Sequence, residues 1–153
     1  MKYMVAVWHL LVCSVVGFCL ASILQTQVVL AKLSAVDVVI DIPARFSMTI
    51  SDIIGLAPKY GGAILLTLAL AFAIAKLINQ KLTVSRYLLY PLAGALGFYI
   101  MLIAMYSLLN ATIIGGARGA IGQILQISAG LISGFLFARL RENVQQGGAN
   151  VER

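Results

Sequence analysis

Residues 87–109 read YLLYPLAGALGFYIMLIAMYSLL, without a single Asp, Glu, Lys, Arg or His. As a helix this stretch is about 34 Å long at roughly 1.5 Å per residue, enough to cross a hydrocarbon core of about 30 Å. It opens with Tyr87 and Tyr90, where an aromatic belt would sit at the membrane–water boundary. Pro91 follows in the first turn, where helix N–H groups have no intrahelical acceptor.

Working outward, three more runs have the same character. Residues 119–140 form the next, entered from the turn Gly115-Gly116-Ala117-Arg118-Gly119. Upstream, residues 61–79 are rich in Ala and Leu, with Lys76 near the far end, where its long stem can snorkel to the headgroups. The first run covers residues 4–31 and is interrupted only by His9, Ser14, Ser22 and Gln25-Thr26-Gln27. It exceeds the 20 or so residues a span needs, so it tilts or projects. A secretory signal has an apolar region of about 7–15 residues. The longer run here reads as an uncleaved anchor.

Whole-chain composition agrees. Of 153 residues, 61 % are hydrophobic and 10 % charged, with a mean hydropathy of +1.01. A soluble domain carries roughly a quarter charged residues. Five acids and eleven bases cannot clothe a water-facing surface of this size, which excludes a soluble globular protein and a disordered chain. The net charge of +6 would suggest nucleic acid in a soluble protein, but the bases are scattered without a cluster. Their partner is the lipid bilayer. The fold class expected is therefore all-α: a polytopic membrane protein with four transmembrane helices in one domain, residues 1–142. A polar, frayed tail occupies 143–153.

Charge placement orients it. With the N-terminus inside, the inner segments hold Lys2, Lys76, Lys81, Arg86, Arg139, Arg141 and Arg153. The outer ones hold Lys32, Arg45, Lys59 and Arg118. An excess of inner bases predicts both termini in the cytoplasm, in the setting of a bacterial inner membrane.

Residues 33–60 are the one sizeable stretch outside the runs, and they hold Asp37, Asp41 and Asp52. Ile42, Phe46, Ile50, Ile53 and Ile54 share a helical face, with Asp41 as N-cap and Pro43 in the first turn. An isolated strand would leave unpaired edges, so an amphipathic helix over about 42–56, lying on the outer interface between the first and second spans, is expected. Asp37 and Asp41 are one turn apart, but they lack the further oxygens that a hard cation needs. Arg45, one turn on, reads as a helical partner for Asp41.

Little else carries chemistry. No charged residue lies mid-span, which argues against a pump built on an intramembrane carboxylate. Trp8 and His9 read as an interfacial pair at headgroup depth. Cys13 lies one turn from His9, but no acid is near to orient a dyad. Cys13 and Cys19 are about 9 Å apart along one helix, beyond disulfide reach. No catalytic, cofactor-binding or metal-ligating set is assigned. The informative pattern is in the last run, where Gly122, Gln126, Gly130, Gly134 and Ala138 recur every fourth residue, with Gly115 and Gly119 preceding them. Small residues at that spacing let helix backbones approach closely, inside the chain or between chains, and a glutamine on the stripe can hydrogen-bond across. Weaker pairs are Ala93 with Gly97 and Ala69 with Ala73.

The function expected is that of a non-enzymatic accessory or structural subunit of a membrane assembly, packing through the Gly-rich fourth helix. Its partners would be further copies of itself or other membrane subunits. The alternative is a small oligomeric channel or transporter with a polar path near Gln123 and Gln126.

Overall fold

The computed structural model describes residues 2–35, 41–82, 84–109 and 119–149. Among them it is all-helical: α1 (Lys2–Ser34), α2 (Ile42–Leu56), a π-helical turn (Ala57–Gly61), α3 (Gly62–Lys81), α4 (Arg86–Leu109) and α5 (Ala120–Ala149). Four helical stretches are long and apolar enough to cross a membrane: Met4–Ser34, Ile42–Lys81, Arg86–Ser107 and Ala120–Glu142.

Neighbouring helices run antiparallel in a closed ring of four. Gly17 and Ala21 of α1 meet Ser133 and Gln126 of α5, and Gly94 and Tyr90 of α4 meet Gly130 and Gly134 of α5. Gly97 of α4 rests on Thr67 and Ala71 of α3, while Phe18 of α1 covers Gly61 at the head of α3. The start of α1, the α3–α4 connection and the far end of α5 therefore share one end of the bundle. There the Tyr87 hydroxyl donates to Glu142, and the charge of Arg141 reaches His9.

The core follows from helical periodicity. Ile64, Leu68, Phe72 and Ala75 form one buried stripe on α3. Near the end that holds the start of α1, Phe72 stacks on Phe137 at 4.4 Å and meets Tyr90 edge-on at 5.7 Å, tying α3, α4 and α5 together. Leu66, Leu70, Ile74, Leu88, Leu96, Ile100 and Ile124 point outward and are exposed, as suits helices solvated by lipid.

Lipid removes the hydrophobic drive between helices, so close backbone packing and interhelical hydrogen bonds hold them together. A Cβ added at Gly94 would lie 2.2 Å from the Gly130 carbonyl oxygen, and one at Gly134 would lie 2.1 Å from the Tyr90 carbonyl oxygen. Only glycine permits this seam. At Gly17 the obstruction is a side chain, Ser133 Oγ at 2.4 Å. Gly17→Ala is therefore expected to lower the thermal midpoint of the purified protein, and adding Ser133→Ala should restore most of the loss. A double variant no better than the single would contradict this account of the α1–α5 contact.

Three expectations need correction. First, 42–56 is a helix with Asp41 as N-cap, whose carboxylate accepts from the Ala44 N–H at 3.2 Å, but it is not a separate helix lying on the interface. It joins α3 through the π turn, giving one helical stretch from Ile42 to Lys81. Pro58 cannot donate to the Ile54 carbonyl, and the wider π turn absorbs that lost bond instead of ending the helix. Held to α1 at Asp52, α2 extends the line of α3 beside α1. Second, α5 runs to Ala149, into the stretch expected to be a frayed tail, because Asn143 to Gln146 include good helix formers and no breaker before Gly147. Third, Pro91 lies inside α4 beyond the first turn, since the helix begins at Arg86.

Candidate functional site

The densest buried polarity of the bundle lies away from the Phe72–Phe137 end, while Ser14 and Ser133 are buried nearer to it. Within the α1 turn from Ala21 to Thr26, Ser22, Gln25 and Thr26 are all buried, an unusual density for a run chosen by its apolarity. Two elements close over this turn. Gln126 of α5, 1 % exposed, donates from Nε2 to the Ala21 carbonyl at 2.9 Å, and its Oε1 accepts from the Tyr60 hydroxyl at 2.7 Å. Tyr60 belongs to the π turn and is fully buried, with Phe18 edge-on at 6.3 Å. A single glutamine thus links three elements, and both ends of its amide are used.

On the other side of the same turn, Thr26 Oγ1 lies 2.9 Å from the Ser22 carbonyl oxygen and 2.8 Å from Asp52 Oδ2 of α2. The hydroxyl has one proton and faces two acceptors. Among the described residues Ser22 Oγ and Gln25 Oε1 have no hydrogen-bond partner. The Asp52 carboxylate and Gln25 Oε1 can only accept, and the donors of this turn are the Ser22 and Thr26 hydroxyls and the Gln25 amide nitrogen.

The residues singled out from sequence disperse. Gly130 and Gly134 are buried in the seam with α4, and Gly122 is buried on the same face of α5, so this stripe packs inside the chain and is not free to receive a partner. The tight approach uses Gly94 of α4, not Ala93. Gln123 is exposed while Gln126 is buried, so the two do not line a common path. Gly119 precedes α5, with Lys32 Nζ 3.8 Å from the place its Cβ would take. Gly115 lies outside the described residues, as does Asp37 of the pair considered for a cation. Trp8 and Tyr87 are exposed, and His9 and Arg45 are half-buried. Tyr90, expected in the aromatic belt, is buried between Phe72 and Phe137, because its side of α4 turns to the seam. Cys13 is fully buried, one turn below half-buried His9.

Sequence reading passed over Ser22, Gln25, Thr26, Asp52 and Tyr60. The density of polar residues at 22–27 inside an apolar run was the available signal. Among the described residues no group of three or more His, Cys, Asp or Glu is gathered as a metal site. Comparison with protein-family models, with curated proteins and with solved structures finds no match.

Proposed function

We propose that the chain is a non-enzymatic accessory subunit of a membrane assembly, and that its partner-facing element is α2 instead of the glycine stripe of α5. The observation that supports this is an uncovered apolar stripe: Ile42, Phe46, Ile50 and Ile54 are 71, 68, 56 and 70 % exposed.

Lipid accounts for such exposure on the other helices but less well on α2. The stretch from Ile42 to Lys81 is about 60 Å long, twice the hydrocarbon thickness. Its first half carries Asp41, Arg45, Asp52 and Lys59, and its second half is free of charge until Lys76. The hydrocarbon therefore fits residues 61–79. The pairing of Gln126 with Ala21 sets the start of α5 level with about residue 27 of α1, and that of Thr26 with Asp52 sets Ile50 level with about residue 28. The end of α1 and the α2 turns holding Ile42 and Phe46 therefore run past α5, while Ile54 lies beside its first turn. An apolar stripe that begins beyond the other helices, at Ile42 and Phe46, and continues along Ile50 and Ile54 calls for a protein surface to cover it. The partner is another membrane subunit or a second copy of this chain.

In the same reading both termini lie in the cytoplasm of a bacterial inner membrane. The support is that the bases at the α1 N-terminus, the α3–α4 connection and the end of α5 outnumber those at the opposite end.

A photoreactive amino acid at Phe46 tests the proposal. In native membranes it is expected to give one discrete adduct, lost when Ile50→Glu and Ile54→Glu are added, while one at Leu70 of α3 reacts with lipid alone. Only lipid adducts at both positions would overturn it.

A further inference from the structure

We infer that the α1 turn from Ser22 to Thr26, closed by Asp52, is a binding site for a single monovalent cation. The inference is independent of the accessory role.

The position of the two unpartnered oxygens carries the argument. At about 100° per residue, with Ala21 at zero, Gln25 falls at about 40°, Ser22 at about 100° and Thr26 at about 140° around α1. Ala21 faces Gln126 of α5, and Thr26 faces Asp52 of α2. Ser22 Oγ and Gln25 Oε1 thus lie in the sector between the two covering helices, one turn apart on one face. Ser22 is fully buried and Gln25 is 6 % exposed, so bulk water does not serve them. A buried polar atom without a partner is destabilising, and two from one turn point to a shared guest.

Charge and donor chemistry narrow the guest. Gln25 Oε1 can only accept, and a carboxylate can only accept. The Thr26 proton is divided between Asp52 and the Ser22 carbonyl oxygen. Among the described residues Asp52 pairs with no basic side chain. The turn therefore offers Ser22 Oγ, Gln25 Oε1, Thr26 Oγ1 and the Asp52 carboxylate: hard oxygens with one negative charge. Calcium takes about six to eight oxygens and is usually met by several carboxylates, which this turn lacks. One charge and about four protein oxygens suit an alkali cation that keeps some of its water.

The site is closed below. Ser14 Oγ, also unpartnered, lies on the same side of α1 at about 20°, but Phe18 falls between it and Ser22 and packs on Tyr60 and Gly61. The chemistry is that of a resident ion, not of a conducting row.

Purified protein in nanodiscs tests this, with the thermal midpoint read while N-methylglucamine chloride is replaced by NaCl, KCl or LiCl at constant ionic strength. The expected result is saturable stabilisation that prefers one alkali ion. Asp52→Asn and Gln25→Leu should each weaken the apparent affinity at least tenfold, while Ser14→Ala, outside the site, leaves it unchanged. Gln25→Glu adds a second carboxylate and should shift the preference towards a divalent cation, a gain that loss of folding cannot mimic. Identical midpoints in all the chlorides, a parental response in Asp52→Asn, or no shift in preference with Gln25→Glu would each overturn the inference. A water molecule at the turn gives the first of these results.

Discussion

Gly134→Ala is expected to destabilise the protein more than any other single-methyl addition, and Gly134→Leu to abolish recovery of folded protein from detergent extracts. The added Cβ would sit 2.1 Å from the Tyr90 carbonyl oxygen, 2.6 Å from its carbon and 2.7 Å from Pro91 Cα. All three are backbone atoms, so no change of side-chain rotamer relieves the clash, and α4 and α5 must part. Overpacking a core costs about 1–3 kcal/mol where side chains can adjust. Here the cost lies at or above the top of that range, because separating the helices also gives up the dispersion contacts that hold them in lipid. Gly130→Ala belongs to the same class, with the Gly94 carbonyl oxygen at 2.5 Å. Gly55→Ala and Gly62→Ala are internal controls: nothing lies within 4 Å of either added Cβ. In a helix each gains up to about 1 kcal/mol from the higher propensity of Ala. Thermal midpoints of the four alanine variants should separate into two groups of opposite sign. Loss of partner binding with an unchanged midpoint in Gly134→Ala would return the stripe to the outside of the bundle.

Gln126→Leu carries the second largest expected effect. It removes the acceptor of the buried Tyr60 hydroxyl, which is then left without a partner at full burial. Such a group costs about 1–3 kcal/mol, more than the roughly 0.6 kcal/mol average for an interhelical hydrogen bond in a membrane protein. The Ala21 carbonyl suffers less, since it also lies within the hydrogen-bonded interior of α1. Tyr60→Phe alone is expected to be milder, and Tyr60→Phe combined with Gln126→Leu should be more stable than Gln126→Leu by itself. A double-mutant cycle in thermal or denaturant unfolding measures the coupling directly. Strictly additive losses would mean that the two side chains do not share the bond.

The architecture was legible in the sequence because lipid imposes a rule on length and charge that acts locally: each span is a run with charges only near its ends, and each run became a helix. The helix over 42–56 was legible for a similar reason, since Asp41 caps its own first turn. Its continuity with α3 was not. Pro58 reads as punctuation, and only the tertiary setting beside α1 shows that a π turn carries the helix past it. The α5 stripe announced a close backbone approach but not its partner, because Gly130 and Gly94 lie on different helices and meet only in the tertiary fold. The polar cluster was hidden for the same reason. Tyr60 and Gln126 are 66 residues apart, and Thr26 and Asp52 are 26 apart. Read singly, each is an interruption in an apolar run or a polar residue off a helical face. Their meaning lies in their assembly.

An antiparallel bundle that crosses the membrane four times has the start of α1 and the end of α5 at one end and α2 at the other. Labelling with a membrane-impermeant maleimide in sealed vesicles of known orientation tests it most directly, using Lys2→Cys, Gly148→Cys and Asp41→Cys one at a time. The parent chain, with Cys13 fully buried and Cys19 inside the α1 span, provides the background. Positions 2 and 148 are expected to label from the same side and position 41 from the opposite side. Labelling of 2 and 148 from opposite sides, or of 41 from the side of the termini, would contradict it.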